Sequence, residues 1–413
     1  MHNTFIARAC ALAVAALAAP AFAADATLFQ SAPLTPLVTD AAFAEIAKDP
    51  TTASATVVLA NAAALEADTA RIVLDLDIGG PVQITAHRNN AYRNDDGTLV
   101  WEGTLAPKRL DGARASPDEV ANDPMNAVTL VRDGSYVTGN IRVHGQLYAV
   151  RPLFDGRHVV VEVDESKMPA DHDESDYRRQ FEAAVKSIAP SKAVAANTVV
   201  RALVNYTSAA NNATPSMSSL INLAVSETNQ GYANSAVTIT LQLAGTGLVS
   251  YTETGNFSTE LSRYRGTGDG YMDSIHTTRN NVAADVAVLI VNGSAACGIG
   301  YLNSSASTAF SVVARTCATG YYSFAHEIGH NFGANHDPAN ASGSPYAYGH
   351  GYQRPTNGWR TIMAYACSGA SCTRINYWSN PNRTYNGVAM GTTSTHNNAR
   401  VLNQRAATVA AFR

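Results

Sequence analysis

The amino-acid sequence predicts an α+β fold of α/β-like character. It has a mixed, twisted sheet with packed helices in residues 196–413, preceded by a β-rich region in residues 24–195. Two observations favour this fold. Residues 198–413 alternate between strand-like and helix-like periods, which is typical of strands joined by packed helices, and the strands end in an antiparallel edge. Residues 24–195 carry strand-like runs separated by turn signals such as Asp95-Asp96-Gly97.

In the N-terminal region, the runs that predict strands are rich in β-branched and aliphatic residues. They are 55–60, 72–78, 82–86 and 159–163. Residues 164–192 are then charged and polar, with a short helical stretch near 177–188. This pattern is typical of a β-rich domain followed by a connecting linker.

The C-terminal region contains five predicted strands and four predicted helices. The strands are 198–206, 236–243, 286–291, 298–302 and 310–314, and the helices are 217–232, 261–280, 321–332 and 396–412. The second helix is interrupted at 266–270, where glycines recur. The third carries Phe324, Ile328 and Phe332 four residues apart, which places them on one apolar stripe.

The first 23 residues predict a secretory signal. Arg8 gives a positive start, residues 9–19 form an apolar run too short to span a bilayer, and Ala21-Phe22-Ala23 matches a cleavage site. No later segment is long and apolar enough to cross a membrane. We therefore expect a secreted, extracellular protein without a membrane anchor.

The most informative segment runs from His326 to His336 and has the pattern H-E-x-x-H-x-x-G-x-x-H. His326 and His330 lie one helical turn apart, so both imidazoles can reach one metal ion. Gly333 permits a positive φ that ends the helix and returns His336 as a third ligand. Three protein ligands leave the fourth tetrahedral position of a zinc ion open, as in catalytic sites. Glu327 is not needed as a ligand and is the expected general base.

With this motif, the chain resembles the metzincin metallopeptidases. The second mark of that clan is a methionine turn, which Thr361-Ile362-Met363-Ala364-Tyr365 matches. The resemblance implies that Met363 packs beneath the zinc site and is not a ligand. In astacins and serralysins a tyrosine two residues after the methionine stabilises the oxyanion, which implies that role for Tyr365. An ordinary buried tyrosine is an equally good interpretation.

Other features resemble the adamalysin (reprolysin) branch, as a compact bacterial relative without its disintegrin-like or cysteine-rich extensions. Asp337 follows the third histidine, and Ile299, Gly300 and Tyr301 lie in a segment similar to the edge strand above the cleft. Such an edge can bind an extended peptide substrate, although a plain glycine-rich loop is an alternative.

The chain is also similar to the bacterial peptidyl-Asp metallopeptidases, which cut before acidic residues. An acid-binding pocket needs a cation, and Arg374 is the first candidate, with Arg360 second. An ordinary surface arginine is the simpler interpretation of either residue.

Four cysteines remain after the signal, and an even number in an exported protein predicts two disulfides. Three pairings are open, of which we favour Cys297 with Cys317 and Cys367 with Cys372. The first would tie the cleft edge to the segment that enters the zinc helix. The second would close a small loop after the methionine turn.

Residues 24–195 are expected to form a propeptide that assists folding and inhibits the enzyme within the same chain; an accessory domain is the alternative. Residues 1–195 carry 17 Lys+Arg and 25 Asp+Glu (17 − 25 = −8), and residues 196–413 carry 12 and 8 (12 − 8 = +4), which sum to the −4 of the whole chain. Opposite charges favour docking. Because residues 24–296 contain no cysteine, a cysteine cannot cap the zinc. Asp171-His172-Asp173-Glu174 is a candidate capping cluster, but a solvated linker is favoured.

The sequence thus predicts a secreted endopeptidase with one catalytic Zn²⁺. We expect it to act as a monomer on protein or peptide substrates, and the last resemblance implies cuts before Asp or Glu. The alternative is a catalytically inactive zinc-binding adhesion or binding module with the same fold. Calcium would have a stabilising role at most, because Asp269 and Asp273 do not form a proper calcium loop. Aromatic and basic residues do not cluster, so no nucleic-acid partner is expected.

Overall fold

The computed structural model describes residues 26–32, 40–76, 83–105, 117–172, 197–341 and 343–413. The predicted signal segment 1–23, the helical stretch near 177–188, and residues 77–78 and 82 of two predicted strands lie outside these ranges. Among the helices of the described ranges, none has the length and apolar character needed to cross a membrane.

The described N-terminal region is built around one sheet of ten strands. Its order is β1-β4-β5-β6-β7-β8-β9-β10-β3-β2. The strands are β1 (Ala26–Thr27), β2 (Phe29–Ser31), β3 (Thr52–Ala60), β4 (Arg71–Leu74), β5 (Ile84–Arg93), β6 (Leu99–Thr104), β7 (Ala127–Asp133), β8 (Tyr136–Val143), β9 (Gln146–Pro152) and β10 (His158–Val163), and one helix, α1 (Ala41–Lys48), packs beside them.

Sequence periodicity missed the strands β6 to β9, and β8 shows one reason, because its buried positions are partly polar. Asn140 and Arg142 in β8 are 5% and 2% exposed. Their partners come from distant parts of the chain: Asn140 donates to Glu227 at 2.6 Å, and Arg142 forms an ion pair with Glu165 at 2.7 Å. A buried polar residue with such a partner interrupts the alternation that marks a strand in sequence.

The C-terminal region contains a five-stranded mixed sheet with helices on both sides, which confirms that part of the predicted fold. The sheet order is β12-β11-β13-β15-β14, with parallel pairing except at the antiparallel edge strand β14. The strands are β11 (Thr198–Thr207), β12 (Ile239–Val249), β13 (Val286–Val291), β14 (Gly298–Gly300) and β15 (Phe310–Ala314).

Six helices accompany this sheet. They are α2 (Ser208–Asn212), α3 (Met217–Asn234), α4 (Phe257–Arg265), α5 (Ser274–Asn281), α6 (Ser323–Phe332) and α7 (Asn398–Val409). The predicted helix 261–280 is two helices, because the glycines between them adopt positive φ at Gly268 and Gly270. Asp273 stabilises that turn by accepting hydrogen bonds from the N–H groups of both glycines.

Two short sheets complete the C-terminal region. One contains β16 (Gln353–Arg354), β17 (Trp359–Arg360) and β18 (Thr373–Arg374), and the other contains β19 (Asn380–Tyr385) and β20 (Val388–Met390). The first sheet follows the metal-binding segment and places both candidate arginines beside it.

The central strand β13 shows how the core is divided. Val288 and Ile290 pack on one face with α3, α6 and α7, whereas Leu289 and Val291 pack on the other face with α4 and α5. Side chains of a strand alternate between faces, so a continuous run of apolar residues serves both cores. The predicted stripe of Phe324, Ile328 and Phe332 lies in the first core, fully buried.

The two regions meet where α3 packs across β6, β7 and β8. The interface is polar as well as apolar. Thr138 and Ser219 form a hydrogen bond between their hydroxyls at 2.6 Å, and Ser226 donates to Glu102 at 2.9 Å. This packing places the end of the N-terminal region beside the metal-binding segment.

Replacing Leu289 by alanine should lower the free energy of unfolding by about 2–5 kcal/mol, because a buried leucine is removed from the middle of the sheet. The matched control is Leu248→Ala in β12, where the side chain is 53% exposed and the expected change is within about 0.5 kcal/mol. Urea denaturation followed by circular dichroism measures both. Equal effects of the two substitutions would contradict the assigned core.

Candidate metal centre and cleft

Helix α6 and the turn after it position three histidines around one point. His326 and His330 project from the same face of α6, and Gly333 ends the helix with φ of 98°. The Ala334 N–H donates to the Gly329 carbonyl, and the returning chain then brings in His336. All three rings are completely buried. The mechanical reason is local: helical periodicity sets the first pair, and glycine permits the turn.

Backbone carbonyls fix the orientation of the rings. The Nδ1–H of His326 donates to the Ile362 carbonyl at 3.0 Å, and that of His330 donates to the Ala334 carbonyl at 3.0 Å. The Nε2 lone pair of each ring therefore faces the centre. Burial lowers the pKa of all three rings well below the ordinary value, and the neighbouring imidazoles of the cluster add to the shift.

A fourth imidazole, from His172, completes the cluster. Its Nε2 lies 3.3 Å from Nε2 of His326 and 3.0 Å from Nε2 of His330 and of His336. Its Nδ1–H donates to the Gly298 carbonyl at 2.8 Å, which also turns its Nε2 lone pair inward. Converging lone pairs repel one another unless a cation lies between them. In a tetrahedron with Zn–N bonds of about 2.0–2.1 Å the nitrogens are roughly 3.3–3.4 Å apart, so the donor set fits zinc.

The position of His172 corrects the interpretation of its segment as a solvated linker. Asp171 and His172 are only 6% and 4% exposed. Sequence reasoning found the cluster but had no signal for its burial, because its partners lie more than a hundred residues away. Asp173 and Glu174 lie outside the described residues.

Glu327 lies beside the histidines and is 1% exposed. Both of its carboxylate oxygens lack a hydrogen-bond partner among the described residues, and Oε1 lies 3.9 Å from Nδ1 of His172. Burial, followed by the negative charge of Asp171, raises the pKa of Glu327 well above its ordinary value. A Cβ on Gly298 would lie 2.5 Å from Oε1 of Glu327, so glycine is required where the edge strand passes.

Met363 and Tyr365 occupy different positions around the cluster. Met363 is fully buried in the core, and a Cβ on Gly329 would lie 3.2 Å from its sulfur, so Met363 packs directly against α6. Tyr365 is half-buried, with its ring centroid 4.4 Å from that of His336 and its N–H donating to Asp337 at 3.0 Å. The tyrosine therefore lies at the site and not in the core.

The predicted edge strand is β14, which pairs with β15 on one side only. On its other side the N–H of Cys297 donates to the Ala170 carbonyl at 2.9 Å, and the N–H of Gly298 donates to the Asp171 carbonyl at 3.1 Å. The edge of the sheet that does not face β15 therefore binds an extended peptide, which here belongs to the same chain.

Of the three edge-strand residues predicted to bind substrate, Ile299 is 3% exposed and its side chain packs in the core with α4 and α5. Its side chain therefore points into this core and not into the cleft. Gly300 places no side chain in the way, and a Cβ there would lie 2.7 Å from the Glu327 carbonyl. Tyr301 is half-buried beneath the guanidinium of Arg265, at 5.4 Å.

Both candidate arginines are buried, which corrects their interpretation as surface residues. Arg374 is fully buried, and its Nη2 lies 2.6 Å from Oδ2 of Asp171. Arg360 is 3% exposed and donates to the Ala364 carbonyl and to the Tyr321 hydroxyl. Of these two arginines, Arg374 forms an ion pair with an acidic side chain among the described residues and Arg360 does not.

The structure pairs the cysteines as favoured from the sequence. Cys297 bonds to Cys317 with Cα atoms 5.3 Å apart, and Cys367 bonds to Cys372 with Cα atoms 5.7 Å apart. The first disulfide joins the start of the edge strand to the segment leading into α6.

Sequence reasoning missed Trp378. Its indole packs against Gly329, on the helix that carries His326 and His330.

Comparison with known proteins places this geometry among peptidases. The profile of metallo-peptidase family M12, Reprolysin_5, matches residues 196–379. The peptidyl-Asp metalloendopeptidase of Stenotrophomonas maltophilia strain R551-3 is 49% identical over 413 residues, which is 97% of this chain and 96% of that protein. The protein of the same name from Xanthomonas campestris pv. campestris is 47% identical over 416 residues, covering 96% of each chain.

Among solved structures, metalloproteinase-II from Bacteroides fragilis resembles 74% of this chain and 86% of that chain. It is 11% identical, with a TM-score of 0.39. This likeness is too weak to support an inference.

Replacing Gly298 by alanine should displace the Glu327 carboxylate and lower peptidase activity by up to about 100-fold, since a shift of about 1 Å at a reacting group has an effect of that size. Zinc content should not change. The control is Gly293→Ala in the loop between β13 and β14, where a Cβ meets only ordinary contacts at 3.6 Å. Initial rates and metal analysis measure the outcome, and full activity of Gly298→Ala would contradict the assigned position of Glu327.

Proposed function

The chain belongs to metallo-peptidase family M12 and is a zinc metalloendopeptidase, and on that premise we propose that it is secreted as a latent precursor and cuts peptide bonds before acidic residues. The observation that carries the proposal is the cleft itself. Buried imidazoles converge next to a buried carboxyl group, and a buried arginine beside them holds an aspartate. The inactive binding module considered from the sequence is not retained.

The chemistry is assigned to His326, His330, His336 and Glu327. The three imidazoles would hold the zinc ion, which would supply Lewis-acid polarisation of the scissile carbonyl. Glu327 accepts a proton from the attacking water and delivers it to the leaving amine. Its buried carboxyl group supports this role, because both of its oxygens lack a hydrogen-bond partner among the described residues and lie beside the imidazoles.

Tyr365 is assigned to the oxyanion. Its ring lies against His336 and is half-buried, so a phenol group is available at the edge of the cluster. In this role the hydroxyl donates a hydrogen bond to the substrate oxygen as negative charge develops there.

Substrate is assigned to the side of β14 that does not pair with β15. The N–H groups of Cys297 and Gly298 already bind the carbonyls of Ala170 and Asp171. A substrate strand would use the same donors once residues 170–172 have left.

The acidic preference is assigned to Arg374. The guanidinium of Arg374 is fully buried, and in this structure Asp171 is its anionic partner. When that aspartate leaves, an acidic side chain of the substrate takes its place. The name peptidyl-Asp metalloendopeptidase, carried by relatives that are 47–49% identical, supports the same preference.

The latent precursor divides into a signal (1–23), a propeptide (24–195) and a catalytic domain (196–413). Two features support the division. The ten-stranded sheet packs against α3 of the peptidase region. The last described residues of the N-terminal region then enter the cleft. The mature enzyme would then be extracellular and act as a monomer after the propeptide is removed.

Glu327→Gln should retain zinc but lose activity by about 10²–10⁴-fold, because the glutamate transfers protons and is not a ligand. Hydrolysis of azocasein measures the activity. Metal analysis and circular dichroism are the controls for zinc content and fold. An active Glu327→Gln enzyme would refute the assigned mechanism.

The proposed specificity is tested by a peptide-library cleavage profile of the activated enzyme, read by mass spectrometry with and without a zinc chelator. We expect chelator-sensitive cuts before Asp or Glu. Arg374→Met should lose that preference, with kcat/KM for acidic peptides reduced by about 100-fold or more, because the buried charge pair is absent.

Arg400→Met is the matched control, since it removes an exposed arginine from α7. It should leave the profile unchanged. Cuts before bulky apolar residues by the unmodified enzyme would remove the acidic pocket from the proposal.

A further inference from the structure

The segment that precedes residue 173 is held firmly in the cleft. Glu165 forms an ion pair with the buried Arg142, whose Nη2 also donates to the Gly320 carbonyl at 2.8 Å. Met168 packs against the core that contains α4 and α5. The chain then runs along β14, where its Ala170 and Asp171 carbonyls accept hydrogen bonds. These contacts restrict the positions of Asp171 and His172.

Two side chains of this segment reach the two key features of the cleft. The Asp171 carboxylate forms the ion pair with Arg374. The His172 ring directs its Nε2 to within 3.0–3.3 Å of the Nε2 atoms of the three motif histidines. The dipeptide Asp171-His172 therefore pairs with the guanidinium of Arg374 and also occupies the metal-binding position.

We propose that His172 is the fourth zinc ligand of the uncleaved chain, held in place by the ion pair of Asp171 with Arg374. The inference rests on the proposed latent precursor and gives its physical cause. A metal ion with four imidazole ligands has no tetrahedral position left for water or for a substrate carbonyl. Asp171 at the same time fills the place of a substrate's acidic side chain.

The arrangement of hydrogen bonds supports ligation and not a simple contact between rings. Three of the four rings use Nδ1–H to donate to backbone carbonyls, of Gly298, Ile362 and Ala334. With Nδ1 bonded to a carbonyl, Nε2 is the nitrogen that each of these rings directs to the centre, as a metal-ligating histidine does. A shared cation accounts for their approach.

The test counts imidazoles on the metal in the full-length, zinc-loaded chain by X-ray absorption spectroscopy. Every protein carries Glu327→Gln to suppress self-cleavage, and intact mass verifies the chain. We expect four imidazoles in this parent protein and three, plus one oxygen ligand, after His172→Ala. His87→Ala, which removes another histidine of the N-terminal region, should keep four.

A second measurement is the rate of zinc loss to a competing chelator. His172→Ala should release zinc at least about tenfold faster than the parent, since even the outer partners of metal ligands contribute 10–100-fold to affinity. His87→Ala should match the parent.

Three imidazoles in the parent protein would overturn the proposal, and this result does not depend on whether any variant folds. The count is also independent of turnover. Full activity of the uncleaved chain without the Glu327 substitution, together with four imidazoles, would contradict the proposed latency and leave the ligand assignment standing.

Discussion

The mutual approach of four imidazole Nε2 atoms is the constraint on which the rest of this structure depends. Their lone pairs meet at distances of 3.0–3.3 Å from His172, which only a cation makes favourable. Around that point the protein provides the supports that such a site requires. Backbone carbonyls hold the rings, α6 fixes two of them, and Met363 packs behind the helix. The buried carboxyl group of Glu327 is tolerated because it lies next to the position of the metal.

The same site joins the two regions of the chain. Residues 171 and 172 come from the N-terminal region, yet their partners are Arg374 and the motif histidines. Elsewhere the two regions share buried polar contacts, such as that of Asn140 with Glu227. Burial raises the pKa of Glu227 to about 7, although its hydrogen bonds oppose the shift. Polar groups buried between two packed regions favour one arrangement over others, because each must find its own partner.

The proposed latency gives the cleft two states, one with its own chain inside and one with substrate. In that proposal the N–H groups of β14, the guanidinium of Arg374 and the metal-binding imidazoles serve both states. An inhibitory segment that uses the binding groups of the substrate needs no separate binding surface. Its departure would expose a buried positive charge, and an acidic substrate would restore the pairing.

The sequence by itself determined what depends on neighbours along the chain. Helical spacing and a glycine turn predict the grouping of His326, His330 and His336, and apolar runs predict strands such as β13 and β15, both of which the structure has at the predicted bounds. Only the tertiary structure decided the roles of His172, Asp171 and Arg374. Asp171 and Arg374 are 203 residues apart, and His172 is 154 or more residues from its imidazole partners. The sequence shows that these residues are polar. Their burial and their partners arise only when the ten-stranded sheet packs against the peptidase region. Packing between distant parts of a chain produces no periodic pattern in the sequence, so it cannot be predicted from periodicity.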